Sequence, residues 1–136
     1  SGQGNGLSVS RQLYKGDEAL NESAPLKVGD KITVRLTVKA DRDMDFVQIK
    51  DDRAACMEPL QAVSGFRCSN GPGYYQATKD ASTQFFIDQM RKGTYVIEYQ
   101  VYVNRTGEYQ AGIATVQSAY APEFGGHTGG YRVMVE

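Results

Sequence analysis

Strict alternation of apolar and polar residues in two long stretches is the feature that most constrains the fold of this chain. In "KITVRLTVK", residues 31–39, every second residue is apolar. In "TYVIEYQVYV", residues 94–103, apolar and aromatic residues again recur at every second position. Because successive side chains of a β-strand point to opposite faces of the sheet, this period of two predicts two strands that each bury one face.

Weaker strand patterns and turn signals account for much of the remaining sequence. Glycine-containing turns are predicted at residues 27–30, 91–93 and 104–107. Pro59 interrupts the one stretch with helical character, residues 51–63, which is therefore predicted to be a loop with at most one helical turn. Five further strands are predicted at residues 7–14, 46–50, 82–88, 109–118 and 130–136.

One local motif supports a sandwich. Gly107 precedes Tyr109 by the spacing of a tyrosine corner, in which the tyrosine hydroxyl hydrogen-bonds to backbone a few residues upstream. Gly93 and Tyr95 have the same spacing. Strands separated by turns, without an amphipathic helix, predict an all-β fold, an immunoglobulin-like antiparallel β-sandwich of about seven strands.

Length and charge limit the organisation of the chain and its partners. We predict one domain over residues 7–136, preceded by a tag or linker remnant at residues 1–6, because 136 residues suffice for one ordinary core. The 15 basic and 16 acidic residues give a formal net charge of −1, which does not favour binding to nucleic acid. No apolar run approaches the roughly 20 residues of a membrane span, so no direct membrane insertion is predicted.

The sequence contains few residues with catalytic potential. The only histidine, His127, lies among glycines, where a side chain is poorly positioned for catalysis. Ser118, a candidate nucleophile for it, has no nucleophile-elbow sequence around it. We therefore predict no catalytic residues, no cofactor and no enzymatic activity, and a hydrolase dependent on His127 is the weakest of the alternatives.

A partial calcium-loop pattern begins at Asp41. Asp41, Asp43 and Asp45 occupy the first, third and fifth positions of such a loop. The sixth position requires glycine for a sharp turn but holds Phe46, and the twelfth requires a bidentate glutamate but holds Asp52. We predict that the aspartates are solvated and that the chain has no metal site.

Two cysteines and the tyrosines leave alternatives open. Cys56 and Cys68 are candidates for a disulfide, which would indicate an oxidising compartment, or are two free buried thiols. Tyr74 and Tyr75 are adjacent, so one of the two rings faces outward from a strand. The residues alone therefore predict an interaction module, with an extracellular adhesion or carbohydrate-binding β-sandwich as one form of it.

Several stretches resemble the C-terminal domain of bacterial alpha-2-macroglobulin family proteins. The resemblance covers most of the chain from about residue 7, including "VGDKITVRLTVKADRDMDFVQIKDDRAACMEP" and "GYYQATKDASTQFFIDQMRKGTYVIEYQVYVNRTGEYQAGIATVQSAYAPEF". Its most specific part is "GEYQAG" followed by "YAPEF", a histidine and a short last strand.

The resemblance implies a non-catalytic domain of a bacterial protease trap, an endopeptidase inhibitor. Its partners would be other domains of the same chain, chiefly a thioester-type domain, and target proteases would be met through the full-length protein. The location would be extracytoplasmic, periplasmic or at the cell surface, with a secreted or lipid-anchored parent.

In such proteins a loop between the last two strands covers the thioester, and its tyrosine, here Tyr120, keeps water away. Ala119 stands where the family often has a larger apolar residue. Pro122 stiffens the loop, and the flanking glycines permit a tight return. The alternative is a loop that only packs within its own domain. The predicted interdomain loop comprises Ala119, Tyr120, Ala121, Pro122, Glu123 and Phe124.

Overall fold

The computed structural model of the chain describes residues 2–3, 6–21, 24–60, 65–67, 74–78, 81–121 and 123–136, and these residues form strands and turns without a helix. None of the described segments is therefore a helix long and apolar enough to cross a membrane. The strands are β1 Gly2–Gln3, β2 Leu7–Lys15, β3 Glu18–Ala19, β4 Lys31–Ala40, β5 Met44–Asp52, β6 Met57–Pro59, β7 Gly65–Arg67, β8 Tyr74–Thr78, β9 Ser82–Met90, β10 Gly93–Val103, β11 Gly107–Ala111, β12 Ala114–Ser118, β13 Gly125–His127 and β14 Tyr131–Val135.

The strands form two large sheets and one small sheet. The first six-stranded sheet has the order β1-β2-β4-β10-β6, with β3 also paired to β2. The second six-stranded sheet has the order β13-β12-β5-β9-β8-β7, and β11 and β14 form a two-stranded sheet. The named strands pair antiparallel throughout. The predicted all-β, immunoglobulin-like antiparallel sandwich is confirmed.

The alternation read from the sequence determines which residues form the core. Every second residue of β4 is almost fully buried, and each faces the same side of the first sheet. The register sets these residues opposite the buried residues of β10, for example Val34 opposite Tyr99. The second sheet contributes Val47, Ile49, Phe85 and Ile87 to the same cluster. The buried positions of β4 and β10 are Ile32, Val34, Leu36, Val38, Ile97, Tyr99, Val101 and Val103.

The predicted strand over residues 109–118 is wrong as a single element. It divides into β11, which pairs with β14, and β12, which pairs with β5. The chain changes sheets at Gly112, where a Cβ atom would lie 2.7 Å from the Cβ of Asp52. Only glycine permits this close approach, which uniform alternation across the segment does not reveal.

The stretch predicted as a loop at residues 51–63 contains regular structure. β5 continues to Asp52, and β6 pairs with the last residues of β10. Pro59 is accommodated because β6 is the edge strand of its sheet, where a missing N–H group breaks no ladder. Residues 61–63 lie outside the described residues.

Both tyrosine-corner spacings form the predicted hydrogen bond. The Tyr109 hydroxyl donates to the Thr106 carbonyl at 2.6 Å, and the Tyr95 hydroxyl donates to the Arg91 carbonyl at 2.7 Å. Gly107 has a φ of 127°, a conformation that residues with a Cβ rarely adopt. Each corner fixes the entry of the chain into a strand.

The amino-terminal residues include a short strand. Gly2 and Gln3 pair with Val9 and Ser8 of β2, although residues 1, 4 and 5 lie outside the described part of the chain. The division into a remnant at residues 1–6 and a domain at residues 7–136 stays a prediction.

A buried ion pair joins the two large sheets. Arg11 of β2 forms a salt bridge with Asp51 of β5, and their side chains are 3% and 2% exposed. The Tyr99 hydroxyl of β10 also donates to Asp51. The Arg11 guanidinium lies 4.6 Å from the centroid of the Tyr131 ring on β14. We call Arg11, Asp51, Tyr99 and Tyr131 the Arg11 network.

Arg11 also connects this network to two points where the chain changes direction, at Gly112 and at Gly129. Its Nη2 atom donates to the carbonyl of Gly112 at 2.7 Å and to the carbonyl of Gly129 at 2.9 Å. Burial raises the pKa of Asp51, while the charge of Arg11 and the hydrogen bond from Tyr99 oppose that shift. Burial and the neighbouring Asp51 carboxylate raise the pKa of Tyr99 well above its usual value, so its hydroxyl remains a donor.

We predict that Arg11→Ala lowers the free energy of unfolding by about 3–5 kcal/mol, because it leaves the Asp51 carboxylate buried without its cation. Chemical denaturation measures this loss. Arg132→Ala is the matched control, since it breaks an exposed ion pair with Glu108 and should cost no more than about 1 kcal/mol.

The loss in Arg11→Ala should also depend on pH. Without Arg11, the Asp51 pKa in the folded state rises further above its unfolded value, so the folded protein binds a proton more tightly than the unfolded chain does. Acidification from about pH 8 to about pH 5 should therefore reduce the deficit relative to the unmodified chain. Equal losses of unfolding free energy in Arg11→Ala and Arg132→Ala would contradict the role assigned to the Arg11–Asp51 pair. A loss in Arg11→Ala that grows on acidification would also contradict it.

Candidate functional site

The predicted interdomain loop is the connection of a β-hairpin. Residues 119–124 join β12 to β13, which pair with each other in the register Gln117 opposite Gly125. The strands predicted at residues 109–118 and 130–136 leave one long loop between them, and that prediction is therefore wrong in extent. A short strand, β13, precedes β14, because Gly125 lets the returning chain approach β12 closely. A Cβ at Gly125 would lie 2.7 Å from the Val116 carbonyl oxygen.

Backbone hydrogen bonds hold both ends of the 119–124 loop. The Ser118 amide donates to the Phe124 carbonyl at 3.1 Å, and the Phe124 amide donates to the Ala121 carbonyl at 2.8 Å. The Ala119 amide donates to the Phe46 carbonyl of β5 at 2.8 Å. The loop is thus attached to β5 as well as to its own hairpin.

Tyr120 projects from this loop into solvent. The residue is 76% exposed, far more than the other large apolar or aromatic residues on the described surface. Its ring makes an edge-to-face contact with the Phe46 ring, with centroids 4.8 Å apart and planes at 79°. Contacts of this geometry contribute about 0.5–1.5 kcal/mol, so Phe46 favours one position of the Tyr120 ring.

Phe46 has an unusual backbone conformation. Its φ is 55°, the only positive φ of a non-glycine residue in the described chain. For a bulky residue this left-handed conformation costs about 1–3 kcal/mol. At this residue the alternation of burial along β5 changes phase: Met44 and Val47 are buried, and the two residues between them, Asp45 and Phe46, face outward. Phe46 remains 45% exposed as a result.

Phe124 forms the inner end of the loop. Its ring is half-buried against the core and lies under the Arg42 guanidinium, 4.7 Å from the ring centroid. The hydrogen bond from Arg42 to Asp41 lowers the pKa of that carboxyl. Gly6, with φ of 79°, passes so close that a Cβ there would lie 2.9 Å from the Phe124 ring. Phe124 therefore anchors the loop, while Tyr120 is free to contact another surface.

The remaining predicted loop residues divide between surface and interior. Ala119 and Glu123 are exposed and Ala121 is half-buried. Pro122 lies outside the described residues. The sequence analysis did not identify Phe46 or Arg42 as part of this site. One signal for Phe46 was present: it stands where the partial calcium-loop pattern requires glycine, and its backbone does take a conformation typical of glycine.

The structure does not bring Ser118 and His127 together. His127 is opposite Thr115 in the β12–β13 register, and its Nδ1 atom lies 3.0 Å from the Thr128 carbonyl. The buried Ser118 hydroxyl donates instead to the Asp45 carbonyl at 3.3 Å. The two side chains are thus used in local backbone contacts.

Two of the three aspartates of the partial calcium pattern have protein partners. Asp41 pairs with Arg42, and Asp43 accepts the Lys92 amide at 2.8 Å. In the part of the chain that the structure describes, no three His, Cys, Asp or Glu residues group to hold a metal ion.

Cys56 is buried and forms no disulfide with any residue that the structure describes, and burial raises the pKa of its thiol. Cys68 lies outside the described residues, so a disulfide between Cys56 and Cys68 stays a prediction.

The sequence of this sandwich matches a known domain family over most of its length. Residues 6–123 match the family model of the bacterial alpha-2-macroglobulin MG10 domain. The chain belongs to this family. The MG10 assignment covers β2 to β12 and most of the 119–124 loop, the elements that carry Phe46 and Tyr120.

Solved structures share the fold. Salmonella alpha-2-macroglobulin reacted with methylamine superposes with a TM-score of 0.81 at 20% identity, over 99% of this chain and 9% of that chain. A tyrosine-to-glycine mutant of the Salmonella protein gives a TM-score of 0.82 at 20% identity, over 99% and 9%. An Escherichia coli alpha-2-macroglobulin fragment from domain MG7 to the C-terminus gives 0.82 at 19% identity, over 99% and 24%.

A curated protein also resembles the MG10 chain in sequence. Circularly permutated Ras protein 2 of Dictyostelium discoideum is 29% identical over 138 residues, which is 96% of this chain and 4% of that protein. The MG10 chain thus spans a small part of the proteins it matches.

We predict that Gly125→Ala displaces β13 and the 119–124 loop, at a cost of about 1–3 kcal/mol, because the new Cβ collides with the Val116 carbonyl. NMR amide shifts of Ala119 and Phe124 report the displacement. Gly129→Ala is the matched control, since no atom lies within 4 Å of a Cβ there. Unchanged amide shifts in Gly125→Ala would contradict the close approach.

Proposed function

We propose that this MG10 domain is a non-catalytic docking domain of a bacterial alpha-2-macroglobulin-type protease inhibitor, and that its 119–124 loop shields a thioester-type site on a neighbouring domain. The proposal rests on one observation: Tyr120 is 76% exposed, on a loop whose two ends are held by backbone hydrogen bonds.

The exposure of Tyr120 favours docking over simple packing. A loop that served only its own domain would turn its large ring inward, as Phe124 does. Tyr120 instead leaves most of its surface in water, and its contact with the Phe46 ring gives it little burial within this domain. Docking against a second surface recovers that burial, worth about 1.5–3 kcal/mol for a large apolar side chain.

An exposed aromatic ring is suited to protecting a thioester from water. A thioester is an activated acyl group, which water hydrolyses when it has access. A tyrosine ring excludes water from the space it covers, and its hydroxyl can hydrogen-bond a polar neighbour. The loop reacts with nothing itself. It opens when the two domains move apart.

The comparisons support the wider setting. The related Escherichia coli protein has been solved after activation by trypsin and by porcine elastase, and the Salmonella protein after reaction with methylamine. An amine nucleophile reacts with an activated acyl group, as expected of a thioester. By analogy, the parent of this chain is extracytoplasmic, in the periplasm or at the cell surface, and meets its target proteases through its other domains.

A carbohydrate-binding module is the second candidate function. Tyr75 and Phe86 are both partly exposed and form an aromatic pair on neighbouring strands. Their ring planes are inclined at 48°, so they do not make the flat platform that stacks on a sugar ring. A glycan array of this chain should therefore give no hits, and hits lost in Tyr75→Ala would favour this second function.

We predict that Tyr120→Gly in the full-length parent accelerates thiol release in water and in methylamine. The rate of thiol release should increase about tenfold or more, because a loss of about 1.5–3 kcal/mol of docking free energy corresponds to a factor of that size. Tyr120→Phe should behave nearly as the unmodified protein if the ring carries the shielding. A colorimetric thiol assay measures the rate.

The matched control is Phe86→Ala, which removes an exposed ring from another part of the surface. It should leave thiol release unchanged. The same rate in Tyr120→Gly and in the unmodified parent would rule out the shielding role.

A further inference from the structure

We propose that Phe46 and Tyr120 form one two-ring docking surface, and that the left-handed backbone of Phe46 positions Tyr120 for its partner. This inference rests on the proposed function. The partner is an apolar surface of the neighbouring thioester-type domain, and Phe46 is a positioning residue that also contacts that surface.

The first step is the residue type at position 46. At this point β5 buries Met44 and turns Asp45 outward, and the backbone of Phe46 is left-handed. Glycine adopts that conformation without steric cost, and asparagine does so more readily than most residues. The fold alone therefore gives no reason for a phenylalanine, and the ring must be explained by what it contacts.

The second step is the connection between Phe46 and the loop. The Phe46 carbonyl accepts the Ala119 amide at 2.8 Å, and the Asp45 carbonyl accepts the Ser118 hydroxyl at 3.3 Å. The Phe46 ring then meets the Tyr120 ring edge to face, with centroids 4.8 Å apart. Backbone and ring contacts thus join Phe46 to two consecutive loop residues, Ala119 and Tyr120, so the conformation of Phe46 determines where Tyr120 points.

The third step is the chemistry of the combined surface. Both residues are substantially exposed, 45% for Phe46 and 76% for Tyr120, and their rings are in contact with each other. Two adjacent aromatic rings present a continuous apolar area, which fits an apolar partner surface rather than a charged one. Because Phe46 adjoins the ring proposed to shield the thioester-type site, the same neighbouring domain is the partner that reaches it.

The first experiment uses this 136-residue chain, which contains no tryptophan. Tyr120→Trp introduces a single tryptophan at the tip of the loop, whose indole can be excited selectively over the tyrosines. Time-resolved anisotropy then measures the rapid motion of the indole in three backgrounds: Phe46 unchanged, Phe46→Gly and Phe46→Tyr. We expect the amplitude of the fast component to rise about twofold in Phe46→Gly and to stay unchanged in Phe46→Tyr, since only the first loses the ring contact.

Stability measurements separate positioning from general damage. Phe46→Gly and Phe46→Ala both remove the ring, but only alanine retains a Cβ in the left-handed conformation. Phe46→Gly should therefore unfold at a higher denaturant concentration than Phe46→Ala. Equal midpoints, or equal anisotropy in the Phe46 and Phe46→Gly backgrounds, would overturn the positioning role.

The second experiment tests docking in the full-length parent. Phe46→Gly should raise the rate of thiol release several-fold, and Phe46→Tyr should not. Acceleration in Tyr120→Gly but not in Phe46→Gly would refute the two-ring surface and leave the proposed function intact. Acceleration in neither variant would refute the proposed function, whatever the anisotropy of the isolated chain.

Discussion

The salt bridge between Arg11 and Asp51 is the interaction on which the rest of this structure depends. Arg11 belongs to one large sheet and Asp51 to the other, and both side chains are almost completely buried. Removing two charges from water costs several kcal/mol for each ion, an amount that their attraction barely offsets. The pair therefore adds less to net stability than to specificity, because a shift of either strand leaves a buried charge without its partner.

The same arginine links the core to the functional surface. By donating to the carbonyls of Gly112 and Gly129, it fixes the point where the chain changes sheets and the turn between β13 and β14. These two points bracket β12, the 119–124 loop and β13. The hairpin is thus held at its base by the Arg11 network and at its tip by Phe46, so that Tyr120 extends from a defined position without being buried.

The alternation of apolar and polar residues predicted most of the fold because it reports directly on which side chains are buried. The long strands β2, β4, β5, β9 and β10 appear where it indicates them. It failed at residues 109–118 and 118–130, where glycines permit backbone contacts that leave no periodic signal. The loop residues 119–124 were identified only by family resemblance, since an exposed tyrosine has no distinctive pattern. Phe46 was missed because a left-handed phenylalanine depends on tertiary contacts, which local propensity does not encode.

Strain and exposure at Phe46 and Tyr120 have a common explanation. Each alone is unfavourable for the isolated domain: Phe46 keeps a costly backbone conformation, and Tyr120 leaves a large ring in water. A second surface that covers both rings would bury their apolar area without altering the backbone, since Phe46 already faces outward from β5. A preformed surface of this kind loses little conformational entropy on docking, so the domain can release and close without refolding its loop.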